Sequence, residues 1–133
     1  MDNPGVYPLA SLNLTAALSA QVQTAIIDLD GMTAVTLDAE FGWGSGGVTA
    51  TAKVQTSFDG GTVWFDVAEF DFTTASRKAV CNLSGLLSKA VATYTALSSE
   101  GVIDGVLGNM LRTVVSTTGT YANTTLAVRA SVR

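Results

Sequence analysis

Hydrophobic and polar residues alternate with a period of two along most of the chain, the spacing of strands that bury one face. In "TAVTLDAEF" the residues Val35, Leu37, Ala39 and Phe41 share one parity, while Thr36, Asp38 and Glu40 take the other. "VTATAKVQT" sets Val48, Ala50, Ala52 and Val54 inward in the same way. The last segment opposes Leu126, Val128, Ala130 and Val132 to Arg129, Ser131 and Arg133. In "VWFDVAEFDF" one parity holds Trp64, Ala68, Phe70 and Phe72, and the other holds Phe65, Val67, Glu69 and Asp71. Strict alternation then exposes Glu69 and Asp71 and places Asp66 on the aromatic face, where it needs an arginine or a backbone amide as partner. Further strands are expected at about Leu9 to Ala17, Gln21 to Leu29, Lys78 to Leu83 and Met110 to Thr118.

Turn chemistry punctuates these segments. "GWGSGG" lies between two alternating runs and predicts an antiparallel hairpin joining them, and "TGTYAN" predicts a second, closing hairpin at the end of the chain. One stretch resists assignment: "SGLLSKAVATYTALSSEGVIDGVLGNM" reads in its first half as a short helix or another strand. Its second half, broken by Gly101, Gly105 and Gly108, reads as a loop. Threonine and valine are abundant and amphipathic helical arrays scarce, so the fold class is all-β, an antiparallel β-sandwich or jelly-roll-like single domain.

Length and composition narrow the picture. With 133 residues the chain forms one domain, residues 11–133, preceded by an extended N-terminal arm, residues 1–10. Pro4 and Pro8 stiffen that arm, and with Tyr7 they are candidates for partner contact. The chain is 47% hydrophobic and only 14% charged, a composition suited to a protein held in contact with others. Seven Lys plus Arg against a net charge of −4 leave no basic stripe for phosphates, so nucleic acid is not an expected partner. The start "MDNPGVYPLA" lacks a signal-peptide pattern and no apolar run is long enough to cross a bilayer, so no membrane role is expected.

Candidate chemistry is sparse. There is no histidine and a single cysteine, Cys81, which removes the usual zinc and copper ligand sets and any Ser/His/Asp or Cys/His mechanism. Cys81 itself is expected as a small buried residue. "DLDGM" offers Asp28 and Asp30 but no distal glutamate, so it reads as a turn at a strand end with Gly31 in positive φ, and no metal or other cofactor is expected. "GWGSGG" lacks the Lys-Ser or Lys-Thr of a phosphate loop, and its Trp43 is either folded onto the sheet or offered to a partner. Asp66, Glu69 and Asp71 could be drawn as acid/base pairs, but with no nucleophile or metal beside them they read as structural, and no enzymatic activity is expected.

Two resemblances add to this. "SFDGGTVW" places Ser57, Asp59, Gly61 and Trp64 at the spacing of the Asp-box, the Ser-x-Asp-x-Gly-x-x-Trp hairpin of sialidases and many other β proteins, with Val63 where a threonine is usual. A sialidase would need an arginine cluster, a tyrosine nucleophile and several copies of the repeat, so the box is expected as a structural turn that fixes strand register. Over most of its length the chain resembles small virion structural proteins of tailed bacteriophages and prophages, through "PLASLNLTAAL", "DLDGMTAVTLDAEFGWGSGG", "KVQTSFDGGTVWFDVAEFDFTTAS", "NLSG" and "TGTYANTTLAVRASVR". The resemblance implies a place in the virion, assembled in the bacterial host cytoplasm. The first expectation is a head decoration or cement protein docked on the major capsid protein lattice, homo-oligomeric and first of all trimeric. The alternatives are a neck or tail connector component, or a carbohydrate-binding module of a tail fibre with Trp43, Tyr94 and Tyr121 as stacking platforms.

Overall fold

A computed structural model describes residues 4–133. They form eleven strands and no helix: β1 (Gly5–Leu14), β2 (Gln21–Val22), β3 (Ala34–Gly42), β4 (Ser45–Gly46), β5 (Thr49–Ser57), β6 (Phe65–Phe72), β7 (Arg77–Ser84), β8 (Gly101–Val102), β9 (Met110–Thr118), β10 (Tyr121–Ala122) and β11 (Thr124–Val132). A four-stranded sheet in the order β1-β11-β3-β7 packs against a five-stranded sheet in the order β2-β9-β5-β6-β8, and every pairing is antiparallel. The all-β sandwich that the alternation predicts is therefore the fold.

The inward parities supply the core. Val35, Leu37, Ala39 and Phe41 of β3 and Leu126, Val128, Ala130 and Val132 of β11 face Ala50, Ala52 and Val54 of β5 and Leu111 and Val115 of β9. Phe41 stacks on Phe72 with ring centroids 4.8 Å apart and meets Tyr121 edge-on at 5.6 Å. Val48 does not belong to this set; it precedes β5 and is exposed. The strand expected over Gln21 to Leu29 shrinks to β2 and one bridge from Ile26 to Leu111. Residues 5–10, read as an arm, run in β1, which spans the boundary placed at residue 10 and pairs with β11 of the same chain on both sides of a register shift at Leu9.

Both expected glycine-turn hairpins are corrected. β3 and β5 lie in different sheets, as do β9 and β11, so "GWGSGG" and "TGTYAN" are crossovers from one sheet to the other. They meet at one end of the sandwich, where β4 and β10 pair Tyr121 with Gly46 and Ala122 with Ser45. Glycine is required there by close approach: a Cβ at Gly47 would lie 2.3 Å from the Tyr121 ring and one at Gly46 would lie 2.4 Å from the Thr120 carbonyl oxygen, with φ near +72° and +73° at Gly46 and Gly47. Alternation reports only that one face of a strand is buried, and a strand facing its neighbour across a sandwich buries that face as fully as one beside it.

Candidate functional site

The Asp-box corner joins β5 to β6. Ser57, at the end of β5, donates from Oγ to Asp59 Oδ1 at 2.9 Å and accepts the Gly61 amide at 3.0 Å. The same Asp59 oxygen accepts the amides of Thr62 at 3.1 Å and Val63 at 2.9 Å. These bonds, the one from Val63 first, hold the Asp59 carboxyl below its ordinary value. Trp64 Nε1 donates to the Gly61 carbonyl at 2.8 Å, and the Arg112 guanidinium lies 4.2 Å above its ring. Gly60 and Gly61 take φ of 75° and 94°. Ser57 Oγ, Asp59 Oδ1 and Trp64 Nε1 all bond within the turn itself.

The outer face of the five-stranded sheet departs from the alternation. The register of β5 against β6 shifts at Val54 and Gln55: Ala68 lies opposite Val54 and Asp66 opposite Gln55, so Val67 is the extra residue of a bulge. Val67 and Ala68 are both buried, and Asp66 turns from the expected aromatic face to the outer face, beside Glu69 and Asp71. Glu69, expected in water, is 4% exposed. The cause is the segment that follows β7, which lies across this face. Asp66 accepts the Gln55 side-chain amide at 2.8 Å and the Leu97 amide at 3.1 Å, and its own amide donates to Tyr94 Oη at 2.8 Å. Lys53 Nζ donates to the Leu97 carbonyl at 2.7 Å and sits 3.5 Å from Asp66 and 3.7 Å from Glu69. The partners of Asp66 are thus the Gln55 side-chain amide, a backbone amide and a lysine, and no arginine. Burial, followed by the adjoining Asp71 carboxyl, pushes Glu69 up to about 7, and its Oε1 has no hydrogen-bond partner. The grouping gives a carboxyl pair and a lysine that hold a covering segment; among the described residues no three Cys, Asp or Glu side chains are placed to hold a metal ion.

That covering segment exposes a run of apolar side chains. Residues 85–100, ambiguous in the sequence, contain neither helix nor strand. Leu86, Leu87 and Val91 stand in water, Tyr94 is partly exposed, and Phe58 of the Asp-box corner is 57% exposed nearby. Phe65 meets Phe58 and Tyr94 edge-on at 5.8 and 4.9 Å, and with Ile103 and Val106 these rings line a cavity of about 450 Å³. Comparison with protein-family models, with curated proteins and with solved structures returned no match. The geometry alone therefore marks this surface, and Phe58, Leu86, Leu87 and Val91 were not singled out by sequence reasoning. The signal that could have found them is the density of apolar residues in "SGLLSKAVATY", a stretch with neither strand nor helix period.

The other candidate contacts are scattered. Pro4 and Pro8 are exposed at the edge of the four-stranded sheet, while Tyr7 packs against the core. Trp43 is 37% exposed and tied to its own loop, its Nε1 donating to the Gly46 carbonyl at 3.0 Å. Tyr121 is buried, with Oη donating to the Thr73 carbonyl at 2.7 Å, so the surface of Trp43, Tyr94 and Tyr121 required for glycan stacking does not form. Asp28 has φ of 60°, Gly31 has φ of 85°, and the Met32 amide closes the turn on the Leu29 carbonyl at 3.1 Å. Cys81 is half-buried in β7, and burial pushes its thiol up to about 11. No helix among the described residues is long and apolar enough to cross a membrane.

Proposed function

We propose that this chain is a non-enzymatic structural protein of a tailed-phage virion, a head decoration protein that docks on the major capsid protein lattice and stabilises the capsid. The observation that carries the docking role is the exposed apolar surface of Leu86, Leu87, Val91 and Tyr94 on the covering segment, with Phe58 of the Asp-box corner nearby; hydrogen bonds to Asp66 hold that segment at Tyr94 and Leu97. Contiguous exposed apolar surface of this kind marks a site of protein–protein contact. The virion assignment rests on the sequence resemblance, and the charge-poor composition accords with permanent contact in a particle. The test is the copy number of the chain in purified virions, measured by quantitative mass spectrometry against the major capsid and tail-tube proteins. A ratio near that of the major capsid protein supports decoration. A single ring's worth of copies moves the protein to the neck or tail, and absence from virions overturns the reading.

A further inference from the structure

The two edges of the four-stranded sheet are built differently. β1 carries Pro8, which has no N–H to offer, and its register slips between Pro8 and Ala10. Both features keep a new strand off an edge. β7 has neither: from Arg77 to Ser84 it pairs residue for residue with β3, without a shift. The amide of Ser84 donates to Asp104 Oδ1 at 2.6 Å, so it points away from β3. By the two-residue period, the amides and carbonyls of Lys78, Val80 and Asn82 also point away from β3, and no further strand pairs with β7 among the described residues. Val80 is 74% exposed, and a groove of about 210 Å³ lined by Ala79, Val80, Cys81, Glu100 and Val102 runs beside the strand.

We propose that β7 is a homodimer interface, in which two copies pair antiparallel about a twofold axis at Val80 and join their four-stranded sheets into one continuous sheet. In this register Val80 faces Val80 of the second copy and Lys78 faces Asn82. Each facing pair exchanges two backbone hydrogen bonds, so the three pairs form about six. The alternatives match less well. A slip of one residue opposes these outward groups to groups already bonded to β3. A change of pairing that sets Asn82 against Val80 brings Lys78 against Ser84, whose amide Asp104 already occupies. One that sets Lys78 against Lys78 opposes like charges. Head-to-tail addition to β1 would meet Pro8. An edge that satisfies itself in this way is an isologous surface, and a second copy of this chain is its occupant. The proposal does not depend on the virion reading.

The test begins with sedimentation equilibrium of the full chain, for which the expected mass is twice the 13.7 kDa of the monomer. Val80→Lys sets like charges across the axis and yields a monomer; far-UV circular dichroism stays unchanged because Val80 is already 74% exposed. In a Cys81→Ser background, Val80→Cys oxidises to a covalent dimer, since facing Cα atoms about 5.5 Å apart suit a disulfide. Asn82→Cys in the same background does not, because it faces Lys78. A monomeric or trimeric wild-type chain, a dimer that survives Val80→Lys, or equal cross-linking at both positions would overturn the proposal.

Discussion

The outer faces of the two sheets handle charge in opposite ways. On the four-stranded sheet Arg129 donates to Asp38 and Glu40 at 2.7 and 2.8 Å in contact with water, and the hydrogen bond to Asp38 leads the upward shift of its guanidinium. On the five-stranded sheet Asp66 and Glu69 are buried beneath residues 94–97, with Lys53 as the shared cation. The first face is the ordinary solvated side of a strand, where ion pairs contribute little. The second is an interior in which each polar group depends on its neighbours, so charge there determines whether the covering segment stays in place.

Removing one charge from each face tests that contrast most strongly. Asp66→Ala deletes the acceptor of Gln55 and Leu97 and leaves Lys53 without one of its two carboxyl partners. Its expected cost in denaturant unfolding is about 3 kcal/mol, the range for breaking a buried charged network. Amide exchange should quicken first at Leu97. Asp38→Ala, made on the open face, should cost under about 1 kcal/mol. Equal losses at the two sites would remove the distinction.

The next effect is one of pH. Glu69 stands at about 7 in the folded chain, above the ordinary value for a glutamate. A raised carboxyl favours the folded state fully below its unfolded value and loses that contribution as pH rises through its folded value. Stability should therefore fall between about pH 4.5 and 7.5, by on the order of 2 kcal/mol. Glu69→Gln should flatten the slope and make the protein more stable than wild type at pH 8, as read by thermal melts across that interval. At the acid end the carboxyls of Glu100 and Asp104 act in the other sense. Arg77 holds Glu100 low and the Ser84 amide holds Asp104 low, so their contributions disappear as pH drops below about 4. An unchanged slope in Glu69→Gln would show that Glu69 is not the titrating group.

A smaller effect lies at the Asp-box. Ser57→Ala removes the acceptor of the Gly61 amide and should cost about 1 kcal/mol. Circular dichroism and the oligomeric state should not change, since Ser57 serves only the corner. A loss of binding to particles with no loss of stability would instead assign the box a contact role.

The comparison of faces also explains what could be read from the sequence. β3, β9 and β11 each have one face against the opposite sheet and one in water or thinly covered; the position of all three was legible, and for β3 and β11 alternation gave the inward residues too. β6 is buried on both faces and bulged at Val67, so parity set Asp66 on the wrong face and left Glu69, on the right one, in water. The covering of that face comes from residues 94–97, remote in sequence and free of regular period. Pairing partners were illegible for a related reason: the glycines of "GWGSGG" announce a change of direction, and whether the chain returns beside itself or crosses to the other sheet depends on Tyr121, far along the chain. The Asp-box was the most legible part, because the hydrogen bonds that close it lie within eight residues.

The most direct test of the docking role is hydrogen–deuterium exchange on purified particles containing this chain, set against the free protein. The account predicts new protection over residues 86–94 and around Phe58, with the outer face of the four-stranded sheet around Arg129 exchanging as in the free chain. Protection confined to the Arg129 face, or none at residues 86–94, would contradict it.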